Sequence, residues 1–130
     1  MGLILDTNFV ITSEREARRG NPGRADAFLD QRPGENFYIT FTIAGELACG
    51  QSASAREDWE RLCRPYPMLL CTTEVSWRYG EIYRALAAKG QLIGSNDMWI
   101  AATALAHGLG VVTNNECEFS RVPGLVVETY

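Results

Sequence analysis

Two kinds of apolar pattern alternate along this chain, short continuous runs and stripes at three-and-four spacing. Gly2-Leu3-Ile4-Leu5 is too brief for a helix and predicts a buried first strand. Phe9-Val10-Ile11 continues the apolar character, and Ser13 with Glu16 three residues on forms a capping-box pair. A helix is expected from there, broken at the turn cluster Gly20-Asn21-Pro22-Gly23. A second helical piece, Arg24 to Gln31, carries Ala27, Phe28 and Leu29 and stops at Arg32-Pro33-Gly34. Aromatic and β-branched residues over Phe37 to Thr42 predict the second strand, after which Glu46-Leu47 opens a helix that pauses near Gly50. Ser54 and Glu57 form another capping box, leading a helix with Trp59 and Leu62-Cys63 that ends before Pro65.

The second half repeats the alternation. Met68 to Cys71 is a third strand candidate, and Thr72 or Thr73 caps a long helix in which Val75, Tyr79, Ile82, Tyr83 and Leu86 form one stripe. Gly90 fits the position just past that helix. Ser95 or Asn96 caps Asp97 to His107, a helix apolar nearly all round and therefore expected at the centre, with Gly108 ending it. Gly110 to Thr113 is a fourth strand, and Leu125 to Thr129 a fifth at the sheet edge. Strands alternating with helices predict an α/β fold with a mostly parallel sheet covered on both faces. No internal repeat or linker interrupts residues 1–130, so one domain is expected.

Composition narrows the class. Apolar residues at 46% and charged residues at 22% are those of an ordinary globular protein, and no stretch has the ~20 apolar residues that span a bilayer. Asp6 and Asn8 interrupt the only candidate signal segment, so a cytoplasmic location is the default expectation. Cys49, Cys63, Cys71 and Cys117 form no C-x-x-C pair, which predicts reduced, partly buried thiols rather than a zinc site. The net charge of −4 weighs against an extended nucleic-acid surface. Against that, eleven of the 12 basic residues are Arg, the side chain suited to bidentate phosphate contacts. Acids that hold a metal would also be neutralised.

Candidate chemistry gathers where the apolar runs stop. Asp6 ends the first strand, Glu46 lies in the first turn of the helix after the second, and Asp97 opens its own helix. Each alone reads equally well as a cap or a dipole partner. In an open parallel sheet, however, these seams gather along one edge, where ligands bind. Two carboxylates about 4 Å apart repel by about 4 kcal/mol at an effective dielectric of about 20, so a trio there calls for a cation. With oxygen ligands only, the matching ion is hard, Mg²⁺ with Mn²⁺ as a substitute. Such ions activate water for displacement at phosphorus. Thr7, Asn8 and Thr113 stand beside the acids, either as turn caps or as groups that bond the carboxylates or a scissile phosphate. His107, about three helical turns from Asp97, suits a dipole or packing role. Arg15, Arg18, Arg19 and Arg24 flank the first seam, as RNA guides or as a solvated helix face.

Four segments also carry a family resemblance: Leu5-Asp6-Thr7-Asn8; Glu46-Leu47 with Gly50; Gly94-x-Asn96-Asp97-x-Trp99-Ile100-Ala101-Ala102; and Val112-Thr113-Asn114-Asn115 with Glu118-Phe119-x-Arg121-Val122-x-Gly124-Leu125. In this order, over essentially the whole chain, the sequence resembles a PIN-domain protein of the VapC type, the toxin of toxin–antitoxin pairs. The resemblance implies a three-layer α/β/α sandwich and a metal-dependent endoribonuclease. Asp6, Glu46 and Asp97 match the family's metal-binding and catalytic acids. Asp6 and Asp97 would be the principal Mg²⁺ ligands, with Glu46 completing the shell or orienting the attacking water. Thr7, Asn8, Thr113 and Asn115 match positions expected to contact substrate. Many relatives have Asp where this chain has Asn115; Glu118 is the favoured fourth acid, with Glu116 or none as alternatives. That departure bears on a second metal more than on activity.

A VapB-like antitoxin and a homodimer are implied in the same way. The RNA target stays open between tRNA, ribosomal RNA and mRNA. The rival reading is a PIN scaffold without catalysis, binding RNA or protein. Other doubly wound enzymes fit poorly, since Asn8 breaks an Asp-x-Asp pair, no Gly-x-Gly-x-x-Gly turn exists, and a receiver's extra acidic pair is missing.

Overall fold

A computed structural model describes residues 2–50 and 55–130. Its strands are β1 (Gly2–Leu5), β2 (Asn36–Thr40), β3 (Met68–Leu69), β4 (Gly110–Val112) and β5 (Val127–Glu128). Its helices are α1 (Thr7–Arg19), α2 (Arg24–Asp30), α3 (Phe41–Ala48), α4 (Arg56–Cys63), α5 (Thr73–Ala88), α6 (Ser95–His107) and α7 (Glu116–Phe119). All strand pairings are parallel, in the order β3-β2-β1-β4-β5. The sheet is the centre of a three-layer α/β/α sandwich, as expected. β1 is buried along its whole length, which is why it reads as an unbroken apolar run. It lies between β2 and β4, with Ile4 opposite Tyr38 on one side and Val111 on the other.

The strand order reverses direction between β1 and β4, the place where doubly wound sheets open a crevice at their carboxyl ends. α6 packs against α5, α3 and β4, and Met98 with Ile100 to Ala104 is buried, so the all-round apolar helix is central. Gly90 and Gly108 both take positive φ, 64° and 67°, and end α5 and α6 where an L side chain would be strained.

Several boundaries differ from the sequence expectation. α1 starts at Thr7, capped by Asp6, so Ser13 and Glu16 sit inside the helix rather than at its start. Glu16 instead reaches the start of α2, accepting from the backbone N–H groups of Gly23 (3.2 Å), Ala25 (3.2 Å) and Asp26 (2.9 Å). β2 ends at Thr40, whose hydroxyl caps α3 by accepting from Ile43 N at 3.2 Å. Glu46 is therefore in the second turn of its helix, not the first. Ser54 lies outside the described residues, and the cap position of α4 is Ala55. Thr72 caps α5 as expected, whereas Gly94, with no side-chain bond, takes the position before α6 that was assigned to Ser95 or Asn96. β3, β4 and β5 are shorter than expected, although β5 does form an edge. Of the cysteines, Cys63 is buried while Cys49, Cys71 and Cys117 are exposed, and all are free. Among the described residues no helix is long and apolar enough to cross a membrane.

Candidate acidic site at the sheet's switch point

Asp6 follows β1 directly and its backbone N–H donates to Val112 O at 3.0 Å, so the β1–β4 pairing itself holds it in the crevice. One carboxylate oxygen accepts from Thr7 N at 2.8 Å as the cap of α1. The other accepts from the Thr113 hydroxyl at 2.7 Å. Thr113 is wholly buried just past β4, and its hydroxyl also accepts from Asn115 N at 2.9 Å. Thr7 turns its own hydroxyl the other way and donates to Glu46 Oε1 at 2.6 Å. The second oxygen of Glu46 faces the side-chain amide of Asn96 at 3.4 Å. The Asn115 amide donates to Asp97 Oδ2 at 3.3 Å and to Glu118 Oε2 at 3.2 Å.

These bonds join Asp6, at the end of β1, with residues of α1, α3, α6, the β4–α7 loop and α7 into one network. The four candidate acids Asp6, Glu46, Asp97 and Glu118 all belong to it, as do Thr7, Thr113 and Asn115. Asn8 is exposed in the first turn of α1 and stands outside it. Glu116 is exposed in the first turn of α7, while Glu118 is the acid that meets Asn115. Asn115 is thus a donor between two carboxylates rather than an anionic ligand.

Electrostatics register the crowding. Burial pushes Asp97 up to about 7, and the charges of Asp6, Glu118 and Glu46 push in the same direction. Asp6 is also raised, chiefly by burial and further by Glu46, against the lowering effect of its bonds from Thr113 and Thr7. Carboxylates held together at this cost fit a hard cation better than they fit one another, and every side-chain donor is oxygen. Among the described residues, though, no three acidic, His or Cys groups already close around one point as a finished metal cage. The chemistry of the donor set, carboxylate oxygens throughout, fits a hard divalent cation.

Of the arginines that follow the first seam, Arg18, Arg19 and Arg24 fit the solvated-face reading rather than that of RNA guides. At about 1.5 Å of rise per residue, Arg18 and Arg19 in the last turn of α1 lie roughly 20 Å along the axis from the Asp6 cap. Arg18 pairs with Glu14 at 3.2 Å, and Arg24 opens α2 beyond the far end of α1. His107 is exposed at the end of α6, away from the acids. Sequence reasoning missed Asn96, read only as a cap. It also missed Asn114 and Tyr130, whose contact spans 16 residues and has no local signature.

Residues 3–125 match the PIN domain family. Ribonuclease VapC2 of Rickettsia felis is 41% identical, with 71% of this chain and 72% of that protein aligned. Ribonuclease VapC1 of the same organism is 31% identical over 99% of this chain and 96% of its own length. Among solved structures, the DNA-bound VapBC complex from Salmonella typhimurium has a chain that superposes with a TM-score of 0.79 at 25% identity, covering 99% of this chain and 98% of that one. The chain therefore belongs to the PIN domain family, as a protein of the VapC type.

Proposed function

We propose that this chain is a single-domain, Mg²⁺-dependent endoribonuclease, the toxin of a toxin–antitoxin pair, which hydrolyses RNA phosphodiester bonds with the 3′ oxygen as leaving group. The observation that carries this reading is the convergence of Asp6, Glu46, Asp97 and Glu118 on the crevice between β1 and β4, where burial, with the neighbouring carboxylates pushing the same way, holds Asp97 near 7. The full-length similarity to relatives named ribonucleases supports RNA as the substrate. When bound, Mg²⁺, or Mn²⁺ in its place, would offset negative charge on the phosphate oxygens and lower the pKa of a water.

Asp6 and Asp97 would hold the ion through their carboxylate oxygens. Glu46, fixed on one side by Thr7, completes that set or orients the attacking water. Thr113 keeps Asp6 turned into the crevice, and Asn115 holds Asp97 and Glu118 on the opposite wall. Glu118 is the fourth acid in this scheme, and the Asn115 amide contacts the scissile phosphate. The hydroxyls of Thr7 and Thr113, expected there too, donate their protons to Glu46 and Asp6 and orient those carboxylates instead. Asn8 remains assigned as a substrate contact, since its exposed amide stands two residues after Asp6 in the first turn of α1.

Because Asn115 is neutral, one ion is held more firmly than a second. The VapBC complex of the Salmonella relative supports a VapB-like antitoxin as partner. The homodimer and the cytoplasmic location are part of the same reading and rest on the family resemblance alone. Purified wild-type protein should cleave RNA when Mg²⁺ is added and stop when it is chelated. Asp6→Asn and Asp97→Asn should each lose on the order of 100-fold or more in rate with circular dichroism unchanged. Undiminished cleavage by both variants would refute the assignment. No cleavage by folded wild-type protein would favour the non-catalytic scaffold.

A further inference from the structure

The β4–α7 loop holds the acidic site with two of its three residues and turns the third away. Thr113 bonds Asp6, and Asn115 bonds Asp97 and Glu118. Asn114 lies between them, and its side-chain oxygen Oδ1 accepts from Tyr130 N at 3.3 Å. The same segment is tied one step earlier, where Thr113 N donates to Glu128 O at 2.9 Å. Glu128 in turn pairs with Arg32, whose guanidinium lies 4.0 Å over the Phe28 ring. The Tyr130 ring meets Phe9 edge-on at 4.7 Å, and Phe9 meets Phe28 at 5.6 Å.

Phe9 is wholly buried in the first turn of α1, where its N–H donates to Asp6 O at 3.0 Å. Tyr130 therefore joins two of the segments that carry the acidic site. Its ring is anchored to the helix that starts at Asp6, and its backbone is anchored to the loop that holds Asp97 and Glu118. The aromatic contact lies between rigid groups, so it fixes position at small entropic cost. The phenol faces Thr12 and the Asp6 and Glu16 carboxylates and is not the group that reaches the loop.

We propose that Tyr130 is a positioning residue for the acidic site, setting the Thr113-Asn114-Asn115 loop against α1 through its ring on Phe9 and its backbone bond to Asn114. The order of the loop is independent of what the site cleaves, so the first readout needs neither RNA nor metal. In ¹⁵N NMR, Tyr130→Ala should raise the mobility of residues 113–116 and collapse the distinct side-chain amide signals of Asn115, while the β1 amides stay unchanged. Tyr130→Phe, which keeps the ring, should leave both as in wild type. Asn114→Ala should reproduce the Tyr130→Ala pattern, and the double variant should be no worse than the worse single one.

The catalytic arm of the test rests on the ribonuclease reading. There, Tyr130→Ala should lower kcat about tenfold with KM little changed, the size expected for a group supporting metal-site residues, and Tyr130→Phe should restore it. An unaltered loop in Tyr130→Ala, or a Tyr130→Phe variant as disordered as Tyr130→Ala, would overturn the proposal. A wild-type protein that cleaves no RNA yet shows the NMR pattern would sink the ribonuclease reading and leave the positioning role standing.

Discussion

Asp97 is held near 7 because it is half removed from water and faces Asp6, Glu118 and Glu46. An acid whose folded pKa stands above its unfolded value of 3.8 contributes stability that is full below that value. The contribution is lost as the pH rises to about 7. Without metal, then, ionised Asp97 weakens the fold from neutrality upward. Asp97→Asn should melt higher than wild type at mildly alkaline pH in chelator, by about 2–5 °C, and the gap should close in acid. Calorimetry showing an equal or lower melting temperature would contradict this. Since ligation requires the ionised form, the Mn²⁺ affinity of the metal-free protein should rise with pH up to about 7 and then level. An affinity that does not change between acid and neutral pH would count against Asp97 as a ligand. Thr113 is the complementary case, fully buried and satisfied by Asp6 and Asn115 together. Thr113→Val should cost about 1–3 kcal/mol in urea unfolding, because it strands two partners, and should also slow cleavage.

Among the elements, α2 shows how a local reading fails. Ser13 and Glu16 have capping-box spacing, yet the helix already begins at Asp6, since a carboxylate leaving a buried strand caps the first available turn. The Glu16 carboxylate crosses the turn and caps α2 instead. Glu16→Ala should therefore lower stability by roughly 1–2 kcal/mol while leaving cleavage near wild type, which separates this acid from those in the crevice. At the β2–α3 junction, Phe41-Thr42-Ile43 has strand-like composition, but the Thr40 cap converts the chain to helix there. β-propensity could not reveal that switch, because packing against α1, α6 and β3 decides it. The buried β1 run, the Thr72 cap and the glycines ending α5 and α6 were legible, being set by local chemistry alone.

For the whole molecule, alternating runs and stripes were enough to predict a parallel sheet between helical layers. Acids at the strand ends were enough to predict one shared edge. What the pattern did not contain was the wiring across the crevice. Thr7 to Glu46, Thr113 to Asp6 and Asn96 to Glu46 join residues 39, 107 and 50 positions apart, and each donor looks like an ordinary turn residue in its own segment. For Arg18 and Arg19 the sequence left two readings, RNA guides or a solvated helix face, and their place in the last turn of α1, exposed and far from the Asp6 cap, agrees with the second. At this scale the proposed homodimer should sediment at twice the mass of one chain, and a monomer at working concentration would refute it. The central claim is that the acids at the β1–β4 crevice hold a divalent ion. Calorimetric titration of the metal-free protein with Mn²⁺ tests it most directly. Saturable binding that is lost in Asp6→Asn and Asp97→Asn is the result expected here; no binding by wild type, or equal binding by both variants, would contradict it.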